Sequence, residues 1–455
     1  MLKSQQIIHF IAVGGSAMHN LAIALHNKGY KVTGSDDFIF EPSASRLAKH
    51  GLFPEALGWY PERVNSNLDA VILGMHARLD NPELLRAQEL GLKIYSYPEY
   101  IYEQSKDKIR VVIGGSHGKT TITSMILHVL NNTGKSFDYL VGAQLEGFDT
   151  MVQLTDAPII IIEGDEYLAS PIDLRPKFHL YKANLAVLSG IAWDHINVFK
   201  TFEDYVLQFS KFIDTIEEGG TLVYSAGDPT LNEVVATSKT ELNTIPYYVP
   251  EHTVENGITY LEPEHIGLGV FGDHNLLNLQ AAKLICEKLG INDSNFNAAI
   301  STFKGAAKRL EVVESFPTCT VYKDFAHSPS KLKATISAVK RQFPDRKLIA
   351  CIELHTFSSL NKEFLQQYKN SMEEADHAIV YIDNHTFEQK KLTPFNQNDV
   401  QIAFSDNKLL YFDDVSQLKC HLKSFNFVNS NLLLMSSGTF SNTDLQKLAR
   451  ELNIK

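Results

Sequence analysis

A glycine-rich run between an apolar segment and an amphipathic one constrains this chain more than any other feature. Ile109–Ile113 has the length and composition of a buried strand, and Thr120–Asn131 repeats apolar residues at helical spacing. Glycines let backbone amides turn toward an anion, and the following helix N-terminus adds partial positive charge. A phosphate-binding loop in a parallel α/β fold is therefore predicted. Its residues are Gly114, Gly115, Ser116, His117, Gly118, Lys119, Thr120 and Thr121.

Two side chains of this loop carry the expected chemistry. Lys119 has the position from which an ammonium reaches terminal phosphates, and the Thr120 hydroxyl has the position of a magnesium ligand. The usual spacing needs a further glycine where this chain has Ile113, so the loop is a shortened variant. A plain glycine turn with a surface lysine is the alternative.

Acidic and imidazole side chains follow two further apolar strands. Glu163 ends the strand Ile159–Ile162, where a neighbouring carboxylate is expected to hold magnesium. His195 follows the strand Leu185–Leu188 and is a candidate second metal ligand. Read alone, Glu163 more often indicates a solvated acid, and His195 a core or surface histidine.

A polar cluster precedes the helix predicted over Leu279–Leu289. His274, Asn275 and Asn278 lie in it, and amide side chains present the donor and acceptor that an adenine edge requires. A helix N-cap is the alternative interpretation.

Two charged residues lie near the expected start of a last domain. Arg309 is a candidate clamp for phosphate oxygens, with a surface pair to Glu311 as the alternative. Asp324 follows a strand and is a candidate acceptor for ribose hydroxyls, with a helix N-cap as the alternative.

The first strand, Ile7–Val13, ends in a second glycine turn. Such a turn suits a diphosphate, and Asp36 at the end of the next strand suits a ribose or base. The pattern is not a full G-x-G-x-x-G, so a nicotinamide-dependent dehydrogenase is a weak alternative that leaves residues 115–121 unexplained. The turn residues are Gly14, Gly15, Ser16, Ala17 and Met18.

Strand and helix patterns alternate through all 455 residues, which predicts three consecutive α/β domains over 1–107, 108–311 and 312–455. The two outer domains are expected to be Rossmann-like and the central one a P-loop ATPase. A net charge of −11 argues against a nucleic-acid surface. No apolar stretch reaches the length of a membrane span, and a cytoplasmic protein is expected. Four separated cysteines indicate reduced thiols.

Taken together, these motifs resemble the Mur ligase family of peptidoglycan synthesis and recycling, over essentially the whole chain. The matching segments are 115–121, 163–166, 194–195, 272–278 and 324–329. The resemblance implies an ATP-dependent amide ligase that activates UDP-N-acetylmuramate as an acyl phosphate. It implies that the first domain binds the UDP-sugar through Gly14–Met18 and Asp36, and that the last domain receives the amine.

The resemblance also implies roles for the central residues. Lys119 and Arg309 would contact phosphates, while Thr120 and Glu163 would hold one Mg²⁺ and His195 another. His274, Asn275 and Asn278 would read adenine, and Asp324 ribose.

Two branches of the family fit. One joins L-alanine to UDP-N-acetylmuramate, and the other joins the tripeptide L-alanyl-γ-D-glutamyl-meso-diaminopimelate during cell-wall recycling. The segment Asp165–Tyr181 resembles the tripeptide branch, whereas Glu353–Phe357 partly resembles the alanine branch. The oligomeric state is not predicted.

Three residues depart from the family pattern: Gly190, Lys323 and Ser328. A non-catalytic P-loop module therefore remains an alternative. A folate- or amino-acid-polymerising ligase shares the P-loop but is expected to lack the first glycine turn.

Overall fold

The structure is a computed structural model that describes residues 5–145, 147–193, 198–306 and 309–454. Within these ranges the chain forms two compact units. The first holds the described residues up to 193 together with 198–248 and 281–292, and the second holds the remainder. Among the described residues, no helix is long and apolar enough to cross a membrane.

The first unit begins with a four-stranded sheet in which every strand is parallel, as the alternating pattern predicts. Its strand order is β2-β1-β3-β4, so the chain leaves β1 on one side and later returns on the other. Such a reversal opens a ligand crevice at the carboxyl ends of the strands. The elements are β1 (Ile7–Ile11), α1 (Ser16–Asn27), β2 (Lys31–Ser35), α2 (Ser43–Lys49), β3 (Ala70–Leu73), α3 (Pro82–Glu89), β4 (Ile94–Ser96) and α4 (Tyr97–Ser105).

A seven-stranded sheet completes the first unit, in the order β11-β10-β9-β5-β8-β6-β7, with only β7 antiparallel to its neighbour. Strand β5 lies between β8 and β9 and is parallel to both. The carboxyl ends of these three buried strands therefore meet at one edge. The elements are β5 (Ile109–Gly114), α5 (Lys119–Asn132), β6 (Asp138–Leu140), β7 (Val152–Gln153), β8 (Ile159–Glu163), β9 (Leu185–Leu188), α6 (Phe202–Asp214), β10 (Thr221–Ser225), α7 (Pro229–Thr237) and β11 (Asn243–Tyr247).

The second unit contains a small antiparallel sheet and a six-stranded sheet in the order β15-β16-β20-β17-β18-β19. Only β15 runs antiparallel in the larger sheet. The small sheet comprises β12 (His252–Glu255), β13 (Ile258–Leu261) and β14 (Ile266–Leu268). The larger comprises β15 (Glu311–Phe316), β16 (Cys319–Asp324), β17 (Lys347–Glu353), β18 (His377–Tyr381), β19 (Leu410–Phe412) and β20 (Ser430–Ser436).

Helices follow the parallel strands of the larger sheet, which gives this part its α/β character, and the first two helices in the list precede that sheet in the chain. The helices are α8 (Asp273–Lys288), α9 (Asp293–Ile300), α10 (Pro329–Gln342), α11 (Lys362–Leu365), α12 (Asn384–Lys390), α13 (Gln397–Phe404), α14 (Val415–Ser424) and α15 (Leu445–Arg450). Residues 273–280 of α8 belong to the second unit and 281–288 to the first. The predicted α/β fold class is confirmed, whereas the boundaries at 107 and 311 stay predictions.

All four cysteines are free, in agreement with the prediction from their spacing. Cys286, Cys319 and Cys351 are buried, and Cys420 is exposed. Burial raises the pKa of the Cys286 thiol to about 12 and that of Cys319 to about 11. The buried thiols are therefore protonated near neutral pH.

Candidate functional site

The glycine-rich loop connects β5 to α5 at the carboxyl edge of the central sheet. Gly115 has a φ of +123°, and a methyl group there would lie 2.8 Å from the backbone nitrogen of Ser189. Gly118 precedes α5 with a φ of +77°, in the left-handed region. Both conformations are unfavourable for residues with a side chain. The glycines therefore hold a tight turn whose exit is the N-terminus of a helix.

Lys119 is the first residue of α5 and is bound by two oxygen atoms. Its Nζ donates to the Gly115 carbonyl at 2.8 Å and to Glu166 Oε2 at 2.6 Å. Burial lowers the pKa of this ammonium, but the carboxylates of Glu166 and Asp165 outweigh burial, so its pKa lies above the usual value. A charged ammonium is thus fixed at the mouth of the loop.

Thr120 in the first turn of α5 and Glu163 at the end of β8 lie together, because β5, which leads into α5, is the parallel neighbour of β8. The Thr120 hydroxyl donates to Glu163 Oε1 at 2.8 Å, and the Gly142 amide donates to Oε2 at 2.9 Å. Burial raises the pKa of Glu163 despite these two hydrogen bonds. A bound cation would favour the ionised form, and hydroxyl and carboxylate oxygens are the donors that Mg²⁺ prefers. The residues therefore fit a magnesium ion.

The rest of the loop is hydrogen-bonded to residues that follow β9, the neighbour of β5 on the side opposite β8. Ser116 receives a hydrogen bond from the Ala192 amide at 2.9 Å, and its own amide donates to the Gly190 carbonyl at 3.0 Å. The hydroxyl of Ser189 donates to the carbonyl of His117. Gly190, which departs from the family pattern, thus contributes a backbone acceptor. Thr121 is buried in α5. His195 lies outside the described residues.

The first glycine turn is held by Asp36. The Gly14 amide donates to Asp36 Oδ2 at 2.7 Å, and burial raises the pKa of that carboxyl. Helix α1 begins at Ser16, with Gly15 as its N-cap. Ala17 and Met18 follow in the first turn, and Met18 is buried. Asp36 therefore stabilises the turn itself, and its contact with substrate stays a prediction.

Two exposed aromatic rings flank this turn, and the sequence reasoning missed them. Phe38 and Phe40 are 57% and 72% exposed, with ring centroids 4.3 Å apart. Ile39 between them is buried against the turn, where a methyl group on Gly14 would lie 2.8 Å from its side chain. Exposed rings beside a phosphate-binding turn can stack on a base. The sequence signal that could have identified these rings was the alternation of Phe38 and Phe40 with Ile39 shortly after Asp36.

In the second unit, α8 begins at Asp273. The prediction that His274, Asn275 and Asn278 precede the helix is therefore wrong, since all three lie inside it. Asn275 donates from Nδ2 to the Phe271 carbonyl at 2.9 Å, and both asparagines are buried. Burial lowers the pKa of His274, although the nearby Asp324 carboxylate opposes this shift. A neutral imidazole near neutral pH follows.

Asp324 ends β16 and binds backbone amides. Its Oδ2 accepts from the Leu310 amide and its Oδ1 from the Ala326 amide, both at 2.7 Å. Arg309 lies over the Phe325 ring at 5.0 Å from its centroid. The carboxylate thus anchors the segment that carries Arg309. Glu311 pairs with Lys323 at 2.9 Å, and Ser328 rather than Asp324 occupies the N-cap position of α10.

A second group of residues meets at the carboxyl ends of β17 and β20. Glu353 is 2% exposed, and its Oε2 accepts hydrogen bonds from the Ser436 hydroxyl and the Phe440 amide. A methyl group on Gly438 would lie 3.0 Å from the His355 ring. The loop after β20 also lines a cavity of about 370 Å³ together with Lys323 and Asp324. This cavity is large enough for a small ligand.

The comparisons with known proteins agree with this organisation. Three family models match in chain order: the Mur ligase family catalytic domain over 7–108, the Mur ligase middle domain over 113–286 and the Mur ligase glutamate ligase domain over 308–418. A UDP-N-acetylmuramate–L-alanine ligase from Caldicellulosiruptor bescii is 31% identical over 389 residues, which cover 82% of each chain.

Solved structures share the fold. A murein peptide ligase from Psychrobacter arcticus has a TM-score of 0.62 at 22% identity, covering 98% of this chain and 99% of its own. A UDP-N-acetylmuramate–alanine ligase from Thermotoga maritima has a TM-score of 0.68 at 20% identity, with the same coverage. With a P-loop, its lysine and an adjacent carboxylate at one sheet edge, the chain belongs to the Mur ligase family of ATP-dependent amide ligases.

Proposed function

We propose that this ligase joins L-alanyl-γ-D-glutamyl-meso-diaminopimelate to the lactyl carboxylate of UDP-N-acetylmuramate. The observation that carries the proposal is the folding of the segment 165–177 beside the P-loop. Lys177 Nζ donates to Asp165 Oδ2 at 2.6 Å and lies 5.8 Å from the Tyr167 ring centroid. These are the residues in which the sequence resembles the tripeptide branch.

The charge of Asp165 links this segment to the phosphate site. Burial opposes ionisation of Asp165, but the Lys177 and Lys119 ammonium groups outweigh it, so its pKa lies below the usual value. A backbone bridge between Leu168 and Pro176 closes the segment. The tripeptide-type residues thus form one connected structure with Lys119, which supports a role in the reaction.

The second candidate is the ligase that adds L-alanine to the same UDP-sugar. The curated relatives that share about 30% identity carry that name. The run Glu353–Phe357, in the domain that would receive the amine, also partly resembles the alanine branch. Both candidates use the same activation chemistry and differ only in the amine.

In the proposed reaction, the substrate carboxylate attacks the γ-phosphorus of ATP and ADP leaves, which gives an acyl phosphate. The amine then attacks the acyl carbon and phosphate leaves. Lys119 would neutralise the β- and γ-oxygens and the loop amides would orient them. Thr120 and Glu163 would hold Mg²⁺, which supplies further positive charge to the phosphates when bound. No covalent enzyme nucleophile is needed, since catalysis depends on positioning.

The other predicted contacts divide between the two units. The Gly14–Met18 turn would bind the diphosphate of the UDP-sugar, and Phe38 and Phe40 would stack on its base. His274, Asn275 and Asn278 would contact adenine and Asp324 ribose, while Arg309 would contact phosphate. His195 keeps its predicted role as a ligand of a second Mg²⁺.

The test is ADP release by the purified protein with Mg²⁺, ATP and UDP-N-acetylmuramate, comparing the tripeptide with L-alanine. We expect kcat/KM to favour the tripeptide by more than about tenfold, or about 1.4 kcal/mol of transition-state energy. Omission of the UDP-sugar controls for background ATP hydrolysis. A preference for L-alanine would establish the second candidate instead.

A further inference from the structure

We propose that Tyr205 is a positioning residue for the phosphate-binding lysine, acting through Glu166. Tyr205 lies in α6 and is fully buried, with its ring packed between Phe199 and Phe209 at centroid distances of 5.4 and 5.2 Å. Its hydroxyl lies 2.9 Å from Ser116 Oγ and 3.1 Å from Glu166 Oε1. A single hydroxyl therefore links the P-loop to the carboxylate that binds Lys119.

The hydrogen-bond order along this chain is set by Tyr205, because its single proton is donated to Glu166 Oε1. The Tyr205 oxygen therefore accepts from Ser116 Oγ, which itself accepts from the Ala192 amide. Tyr205 then donates to Glu166 Oε1, while Lys119 donates to Glu166 Oε2. Acceptance on both oxygens is the hydrogen bonding of an ionised carboxylate. Each hydroxyl accepts one hydrogen bond and donates the next. Tyr205 thereby holds Oε1 of Glu166, and Lys119 holds Oε2.

Fixing Glu166 fixes the ammonium of Lys119. Glu166 is 1% exposed, so water does not replace a lost hydrogen bond readily. Without the Tyr205 hydroxyl, Oε1 of Glu166 loses a hydrogen bond that orients the carboxylate, and the Lys119 ammonium bound at Oε2 shifts with it. Charge aimed at the transferring phosphoryl group acts mainly in the transition state. We therefore expect Tyr205 to affect kcat more than the binding of ATP.

This inference rests on the proposed contact of Lys119 with phosphate, which substitution of Lys119 tests separately. The variant Tyr205→Phe keeps the packed ring and removes only the hydroxyl. Tyr247→Phe is the matched control, because Tyr247 is also buried in the first unit and its hydroxyl bonds to Ser225. ADP release is followed with whichever amine the wild-type protein accepts, so an error in the predicted amine does not affect the result.

We expect Tyr205→Phe to lower kcat about tenfold with the KM for ATP changed less than about threefold, whereas Tyr247→Phe matches wild type. Combined with Glu166→Gln, the loss should be smaller than the product of the two single losses, because both act on Lys119. Equal kcat in the two phenylalanine variants, or multiplicative losses in the double variant, would overturn the inference.

A second measurement needs no ligase activity. Acylation of Lys119 by an amine-reactive reagent, followed by mass spectrometry of the nucleotide-free protein, reports how firmly Glu166 holds the ammonium. We expect severalfold faster modification in Tyr205→Phe than in wild type or Tyr247→Phe. An unchanged rate at Lys119 would show that the hydroxyl does not position this lysine.

Discussion

Lys119→Met should affect stability and catalysis by separate mechanisms that one further substitution can distinguish. Lys119 Nζ and Glu166 Oε2 lie 2.6 Å apart, and the two side chains are 15% and 1% exposed. Loss of the ammonium leaves a buried carboxylate without its cation, which typically costs about 3–5 kcal/mol of unfolding free energy. Turnover should fall about 100- to 1,000-fold, the usual effect of losing one preorganised charge.

Adding Glu166→Gln to Lys119→Met removes the carboxylate charge that the Lys119 ammonium neutralises in the wild-type protein. We expect the double variant to regain most of the lost stability and none of the lost turnover. Trp59 and Trp193 are the two tryptophans of the chain and both lie in the first unit, so their fluorescence follows urea unfolding of the unit that contains the site. ADP release measures turnover. Lys135→Met, at an exposed lysine beyond α5, is the control.

Two outcomes would refute this reasoning. A Lys119→Met protein that unfolds at the wild-type urea midpoint would show that the ion pair does not stabilise the fold. Recovery of turnover in the double variant would show that Lys119 serves only to neutralise Glu166. The first result would remove the stabilising role assigned to the ion pair, and the second would remove the phosphate role assigned to Lys119.

Two further predictions concern the same unit. Gly115→Ala should lower turnover at least about tenfold, because its φ of +123° and the 2.8 Å approach of the Ser189 amide both oppose a methyl group; unchanged ADP release would contradict this. His179 is buried, which lowers its pKa to about 4, and its Nε2 lies 2.7 Å from the Gln208 carbonyl. Because the folded state binds fewer protons than the unfolded state, the contribution of His179, up to about 3 kcal/mol, is present above pH 6.5 and lost as pH falls toward 4. In His179→Gln, the urea midpoint of unfolding should therefore change less with pH between 6.5 and 4 than it does in wild type. A pH dependence of the midpoint parallel to that of wild type would argue against this role of His179.

Short runs of apolar residues were sufficient to predict the strands that carry the site. The predicted range Leu185–Leu188 coincides with the observed β9, because short apolar runs bounded by polar residues are characteristic of buried strands. The predicted start of α8 at Leu279 lies beyond its observed start at Asp273. Its first turn contains Asp273, His274 and Asn275, residue types with low helix propensity that are common just before a helix.

The small antiparallel sheet was not predicted, since β12 is largely exposed and has no apolar periodicity. Within the site, the P-loop and Glu163 were predictable because each follows an apolar strand directly. Glu166 and Tyr205 were not identified as partners of Lys119 and Ser116. These contacts join residues 47 and 89 positions apart: the pairing of β5 with β8 brings Glu166 to Lys119, and the packing of α6 brings Tyr205 to Ser116.

The unequal exposure of the four thiols makes the natural sequence suitable for site-specific labelling. A maleimide fluorophore should react at Cys420 in α14, while Cys286, Cys319 and Cys351 are shielded by burial. The dye would then lie in the second unit and both tryptophans in the first. Energy transfer between them would follow, without any engineered cysteine, how the distance between the units responds to nucleotide.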